Sequence, residues 1–428
     1  MSAIKNFTSE IKEGVRQSKW LPLITAYAIL SSVIGPGFHY PLMHIPFMAI
    51  GLFYAFKSSW KIELTAVLLL LYLPINVLIT RPAPIFNSWM RLILFSMVFV
   101  FASPLLNSLS FGMYRKKILM GILFICVLLS LGSFVCYFLG VNYMGNQFDG
   151  SAILDYRGSA GGFGGLMIQS ISLGMVSGLG MLYLLYRALL RPKKERKWYY
   201  VVIAVLALTI LIAASRSALL SAAAGMLIIL YQSNKKNGKF IQILMGILLV
   251  GMLTLPLWED FTTGLKKKIV SDTELGVYGT RTQKWTARIT EFSSNPIFGI
   301  GFASVDRHHD EVGIRGVVEP GSSWLCILSM TGIIGFILFV LILIKPFQFL
   351  ISHPTPYNVL LLGLMVFICM HMISEGYIFA GGSSGSVLAW LIFGCASDSI
   401  YLKPHRHFNY LAQKYAGDKY VIVLKPKE

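Results

Sequence analysis

Arg216 lies in Ala213-Ala214-Ser215-Arg216-Ser217-Ala218, a few residues between two apolar runs. A guanidinium held at a membrane surface by two flanking helices is costly and suits a ligand carrying phosphate or carboxylate. A second basic group stands in Thr280–Phe292, which reads as an amphipathic helix that Thr280 can cap and Asn295-Pro296 stops. There Arg281, Trp285 and Arg288 fall at i, i+4 and i+7, on one face, with the arginines roughly 10 Å apart along the axis. One reading of that face is an interfacial helix lying on headgroups with Trp285 as its anchor. The other is a pair of guanidiniums that joins Arg216 in gripping a diphosphate, since the planar fork of Arg donates two parallel bonds to phosphate oxygens.

Carboxylates accompany the arginines. Glu319, in Glu319-Pro320-Gly321-Ser322-Ser323-Trp324-Leu325, opens an apolar run. It could cap the helix N-terminus or serve as the base that takes a proton from an attacking hydroxyl. Glu375, in Ser374-Glu375-Gly376-Tyr377, ends another apolar run, as an acid paired with a nearby Arg or as a contact to substrate. The segment Asp155–Gly165 contains Arg157 and a run of glycines that lets backbone N–H groups approach an anion, or lets helices pack closely. His308 and His309 read as solvated loop residues. The five cysteines fall within apolar spans without a CxxC or a His partner and read as packing residues. Neither a metal nor a cofactor is expected.

These residues need a membrane scaffold. Of 428 residues, 55% are hydrophobic and 13% charged, and the mean hydropathy is +0.67. These values exclude a soluble globule, and long unbroken apolar runs exclude a β-barrel. Runs near 20–37, 41–56, 62–80, 90–110, 117–140, 164–188, 198–214, 217–232, 240–257, 323–344, 357–376 and 385–402 give about twelve spans. The net charge of +18 reflects topology rather than nucleic acid. With both termini cytoplasmic, every inner connector is basic, and the short outer segments hold only Arg81, Arg91, Arg157 and Arg216. Residues 1–428 then form a single membrane domain. Residues 258–322 are its large outer loop, rich in both signs of charge, and 403–428 are a basic cytoplasmic tail against anionic headgroups. No cleavable signal pattern precedes the first span, so that span is expected to be retained.

Three pieces together resemble the O-antigen ligase and polymerase superfamily of integral-membrane glycosyltransferases. They are Ser215-Arg216-Ser217-Ala218, then Arg281…Trp285…Asn295-Pro296-Ile297-Phe298-Gly299-Ile300-Gly301, and Ser322-Ser323-Trp324-Leu325…Gly332-Ile333-Ile334-Gly335. Their order and common outward topology carry the likeness over about residues 150–340. It implies an all-α, GT-C-like polytopic fold whose periplasmic loop carries short amphipathic helices. It further implies metal-independent transfer of a glycan from an undecaprenyl-diphosphate-linked oligosaccharide to the hydroxyl of an acceptor glycan, in the bacterial inner membrane. In that family, arginines matching Arg216 and Arg281 bind the diphosphate, and Arg288 could share the task. Ligases of the family show a His shortly before the Ser-(Tyr/Trp)-Leu stretch. Here that place holds Glu319-Pro320-Gly321-Ser322, which leaves Glu319 as the expected base and favours a polymerase of O-antigen or exopolysaccharide. A ligase acting on lipid A core is one alternative; a transporter or flippase of lipid-linked sugars, using the same arginines to hold the anion, is another.

Overall fold

The computed structural model describes residues 20–36, 43–55, 61–143, 163–234, 279–306 and 321–401. Among them the chain is mostly helical. In order come α1 (Trp20–Leu30), α2 (His44–Ala55), α3 (Leu64–Thr80), α4 (Ser88–Ala102), α5 (Leu109–Leu139) and α6 (Ser170–Leu189). Then follow α7 (Lys193–Ile212), α8 (Arg216–Asn234), α9 (Gly279–Ser294), α10 (Ser323–Ser352), α11 (Pro356–Ser374) and α12 (Ser384–Tyr401). The described sheet is one antiparallel pair of two-residue strands, β1 (Lys61–Ile62) and β2 (Leu106–Asn107).

Each expected apolar run contains a helix, except 240–257, which lies outside the described residues. The lengths differ from the expectation of about twelve crossings. Five described helices, α5, α6, α8, α10 and α11, are long and apolar enough to cross a membrane. The stretches Trp20–Val33, Leu64–Thr80 and Ser88–Ala102 are apolar but shorter. At 1.5 Å per residue a full crossing takes roughly 20 residues, so the described helices do not by themselves make twelve complete spans.

Local signals set the ends. The Ser108 hydroxyl accepts from the Phe111 N–H to start α5, and Gly140 closes that helix in the left-handed region. Thr355 caps α11, with Pro356 at its first position. Exposed apolar side chains recur at helical spacing along α3 (Leu68, Leu71, Ile75, Leu78) and α10 (Ile333, Ile337, Leu341, Ile344), as lipid contact requires.

Two features fix the bundle. At one end Arg115 is fully buried, pairing with Asp398 at 2.6 and 2.9 Å and donating to the carbonyls of Phe101, Ser103 and Leu106. It ties α5, α12 and the turn after α4 together. Lys345 meets Glu63 at 2.7 Å, and the Tyr401 hydroxyl donates to the same carboxylate. Toward the other end a cluster of rings (Phe95, Phe99, Phe302, Phe379 and Trp390) joins α4, α12 and the segments that follow α9 and α11. The Trp390 indole donates to the Ile378 carbonyl, so the loop after α11 is anchored in this core.

Candidate functional site

The turn between α7 and α8 is short because Ala214 takes a left-handed conformation (φ 52°). Ala213, Ala214 and Ser215 are buried, while Arg216 opens α8 with an exposed side chain. Close packing makes the turn possible: a Cβ on Gly174 of α6 would collide with the Ser215 side chain. Arg216 thus stands where the first N–H groups of α8 and its dipole favour an anion. One position on, the Ser217 hydroxyl donates to Glu375 Oε1 at 3.4 Å.

Glu375 connects this hinge to α10. Its carbonyl accepts from the backbone N–H and hydroxyl of Ser323, at 3.0 and 2.7 Å. The Ser323 hydroxyl in turn accepts from the Tyr377 N–H at 3.0 Å. Ser322 caps α10 by accepting from Leu325 N–H and donates to the Met372 carbonyl. The Trp324 indole donates to the Cys369 carbonyl at 2.9 Å. The Ser-Ser-Trp stretch is therefore a clasp onto the end of α11. Ser322 is thus the N-cap of α10.

α9 is built onto the same clasp. The Trp285 indole donates to the Gly321 carbonyl at 3.3 Å. Later, Ile300 and Gly301 N–H donate to the Ser329 and Met330 carbonyls, and Ile333 N–H donates to the Pro296 carbonyl. Trp285 thus sets α9 beside the start of α10, and the segment after α9 reaches Ser329 to Ile333 within α10. The two meet where α10 breaks at Gly332 (φ 63°, ψ −168°). A broken helix in an apolar setting needs new partners for its backbone groups. The Pro296–Gly301 segment supplies them. The approach is so close that a Cβ on Gly299 or Gly332 would penetrate the opposite backbone. Asn76 of α3 holds the segment from the other side, donating to Phe298 O at 2.6 Å and accepting from Phe302 N–H at 2.9 Å.

The structure turns the Trp285–Arg288 face onto protein. Arg288 is buried and pairs with Glu291 at 2.8 Å. Glu291 also accepts from the Asp306 N–H, which folds the chain after Ser304 back onto α9. Burial pushes the Glu291 carboxyl above its ordinary value, against the pull of Arg288 and the Asp306 N–H. A helix resting on headgroups would leave Arg288 in solvent, so that picture does not describe this face. Arg281 stands in the first turn of α9, where only the backbone is described, and Thr280 lies inside that helix rather than before it. Glu319, Arg157, His308 and His309 lie outside the described residues, as do the tail at 403–428 and much of 258–322.

Glu375 and Tyr377 also line a cleft of about 750 Å³ between the ends of α1, α6, α11 and α12. His371, the last-turn histidine of α11, lines it too. It is stacked on Phe367 and lies 3.3 Å, Nδ1 to oxygen, from the Tyr377 hydroxyl. Burial drives the Tyr377 phenol well above its ordinary value, so it stays protonated. Among the described residues no group of three His, Cys, Asp or Glu is placed to hold a metal, and all five cysteines are free.

Sequence reading missed Asn76 and Glu291. Signals existed for both: an amide alone in an apolar run, and an acid three residues after Arg288 on one helix. The chain matches no curated protein sequence. Residues 199–340 match the Wzy_C family, described as O-antigen ligase. That stretch contains the hinge, α9, the clasp and the Gly332 break, and the match supports the resemblance to the O-antigen ligase and polymerase superfamily over this part of the chain.

Proposed function

We propose that this protein joins lipid-linked glycans during assembly of a bacterial cell-surface polysaccharide, most directly as a polymerase. The observation that carries this reading is the Ser217–Glu375–Ser323 junction. It gathers the Arg216 hinge, the α10 clasp and, through Gly321 and Trp285, the helix bearing Arg281 at one end of the bundle. In this reading that end faces the periplasm and both termini the cytoplasm. The prenyl tail stays in lipid and the glycan extends outward.

The acceptor hydroxyl attacks the anomeric carbon as its bond to the diphosphate oxygen breaks, and the electrons of that bond leave with the lipid diphosphate. Arg216, the N–H groups at the start of α8 and Arg281 stabilise the charge that collects there. Glu319 receives the hydroxyl proton. Arg157 is assigned to the donor side and Glu375 to the glycan, while Arg288, buried against Glu291, and Trp285, bonded to Gly321, hold α9 in place. Lipid diphosphate is a good leaving group, so the chemistry asks for no metal.

A ligase is the second reading, favoured by the description of the matched family. The absence of His from Glu319-Pro320-Gly321-Ser322 supports polymerase over ligase. The test is Arg216→Ala and Arg281→Ala in the producing strain. Loss of the glycan ladder with protein still in the membrane is expected, and an unchanged ladder after either substitution defeats the reading.

A further inference from the structure

We propose that the cleft between α1, α6, α11 and α12 is the subsite for the acceptor sugar, an assignment that rests on the glycan-transfer reading above. Three observations point there.

The first is position. Glu375 lies at the shared boundary: it lines the cleft, and its carboxylate receives the Ser217 hydroxyl, next to Arg216. A hydroxyl bound beside Glu375 is therefore on the doorstep of a diphosphate held at the start of α8. The second is charge. Among the described residues the cleft is lined by one carboxylate and by neither Lys nor Arg. A diphosphate would be repelled and its charge left uncompensated, whereas sugar hydroxyls donate to a carboxylate at no such cost.

The third is the mixture of groups. Gln169, Ser172 and Ser384 offer an amide and two hydroxyls, each able to donate and accept. Leu30, Met175 and Leu388 form an apolar wall suited to the C–H face of a pyranose ring. A prenyl chain alone would leave the polar groups without partners. The volume of about 750 Å³ is within the roughly 300–1,000 Å³ of small-ligand sites and accommodates a short oligosaccharide. The wall is held in shape. His371 is stacked on Phe367 and lies beside the Tyr377 hydroxyl, while Tyr377 is pinned through its N–H to Ser323.

The experiment uses the full chain in nanodiscs with lipid-linked donor. The acceptor probe is oligosaccharide released by mild acid from the polysaccharide of the producing strain. Ser172→Trp fills the cleft from the first turn of α6, and Gln169→Ala trims an exposed side chain without threatening the fold. The expected result is a KM for the oligosaccharide at least about tenfold higher in Ser172→Trp and severalfold higher in Gln169→Ala, with the donor KM unmoved. Oligosaccharide binding measured by saturation-transfer NMR without donor is expected in the wild type and lost in Ser172→Trp. A rise in donor KM with acceptor KM unchanged overturns the assignment while leaving glycan transfer intact. So does equal oligosaccharide binding by wild type and Ser172→Trp. Failure of the transfer reading itself shows separately, as Arg216→Ala retaining full activity.

Discussion

Ser323 and Glu375 are joined twice: the N–H and the hydroxyl of Ser323 both reach the Glu375 carbonyl, at 3.0 and 2.7 Å. The same hydroxyl takes the N–H of Tyr377. One small side chain thus sets the start of α10 against the end of α11 and fixes the loop that carries the Glu375 carboxylate.

Ser323→Ala removes one donor to Glu375 and strands the half-buried Tyr377 N–H. A loss of about 1–3 kcal/mol is expected, read as a lower Tm in detergent. Hydrogen exchange should quicken at Tyr377 and its neighbours. Wild-type protection at Tyr377 would show that the hydroxyl does not hold this loop.

Asn76→Leu is close to isosteric but leaves the Phe298 carbonyl and the Phe302 N–H without their side-chain partner. Each stranded group costs about 1–3 kcal/mol, so a marked fall in Tm is expected. An unchanged Tm would mean that the segment after α9 is held by the Gly332 break alone.

Gly332→Ala places a methyl group into the Ile297 carbonyl at a backbone angle that alanine disfavours. The expected outcome is little protein in the membrane fraction. Normal accumulation with wild-type Tm would rule out the close approach of α9's sequel to α10.

Asp398→Leu leaves a buried guanidinium without its counter-charge, at a cost of about 3–5 kcal/mol. Arg115→Met combined with Asp398→Leu should recover part of the loss, since both charges are then gone. Transfer activity per folded molecule should be untouched, because the pair sits at the end away from Arg216. A specific activity loss in the double variant would contradict a purely structural role.

Glu319→Gln keeps the shape and removes the basic oxygen. A drop in turnover of about 10²–10⁴-fold is expected if this residue takes the acceptor proton, measured as polymer formed per unit of membrane-inserted protein. Full activity removes Glu319 from the reaction.

The sequence alone determined what depends on composition and period. Unbroken apolar runs compel helices in lipid, and Asn295-Pro296 stops α9, as backbone chemistry demands. Contacts between distant residues were not legible. Whether Arg288 faces outward or pairs with Glu291, and how Asn76 meets Phe298, both depend on which helix lies alongside which. Hydropathy says that a residue is buried and not against what. The pairing at Gly332, two hundred residues and more from Asn76, exists only once α3, α9 and α10 have packed, because the backbone groups freed by the break find their partners only in the assembled bundle.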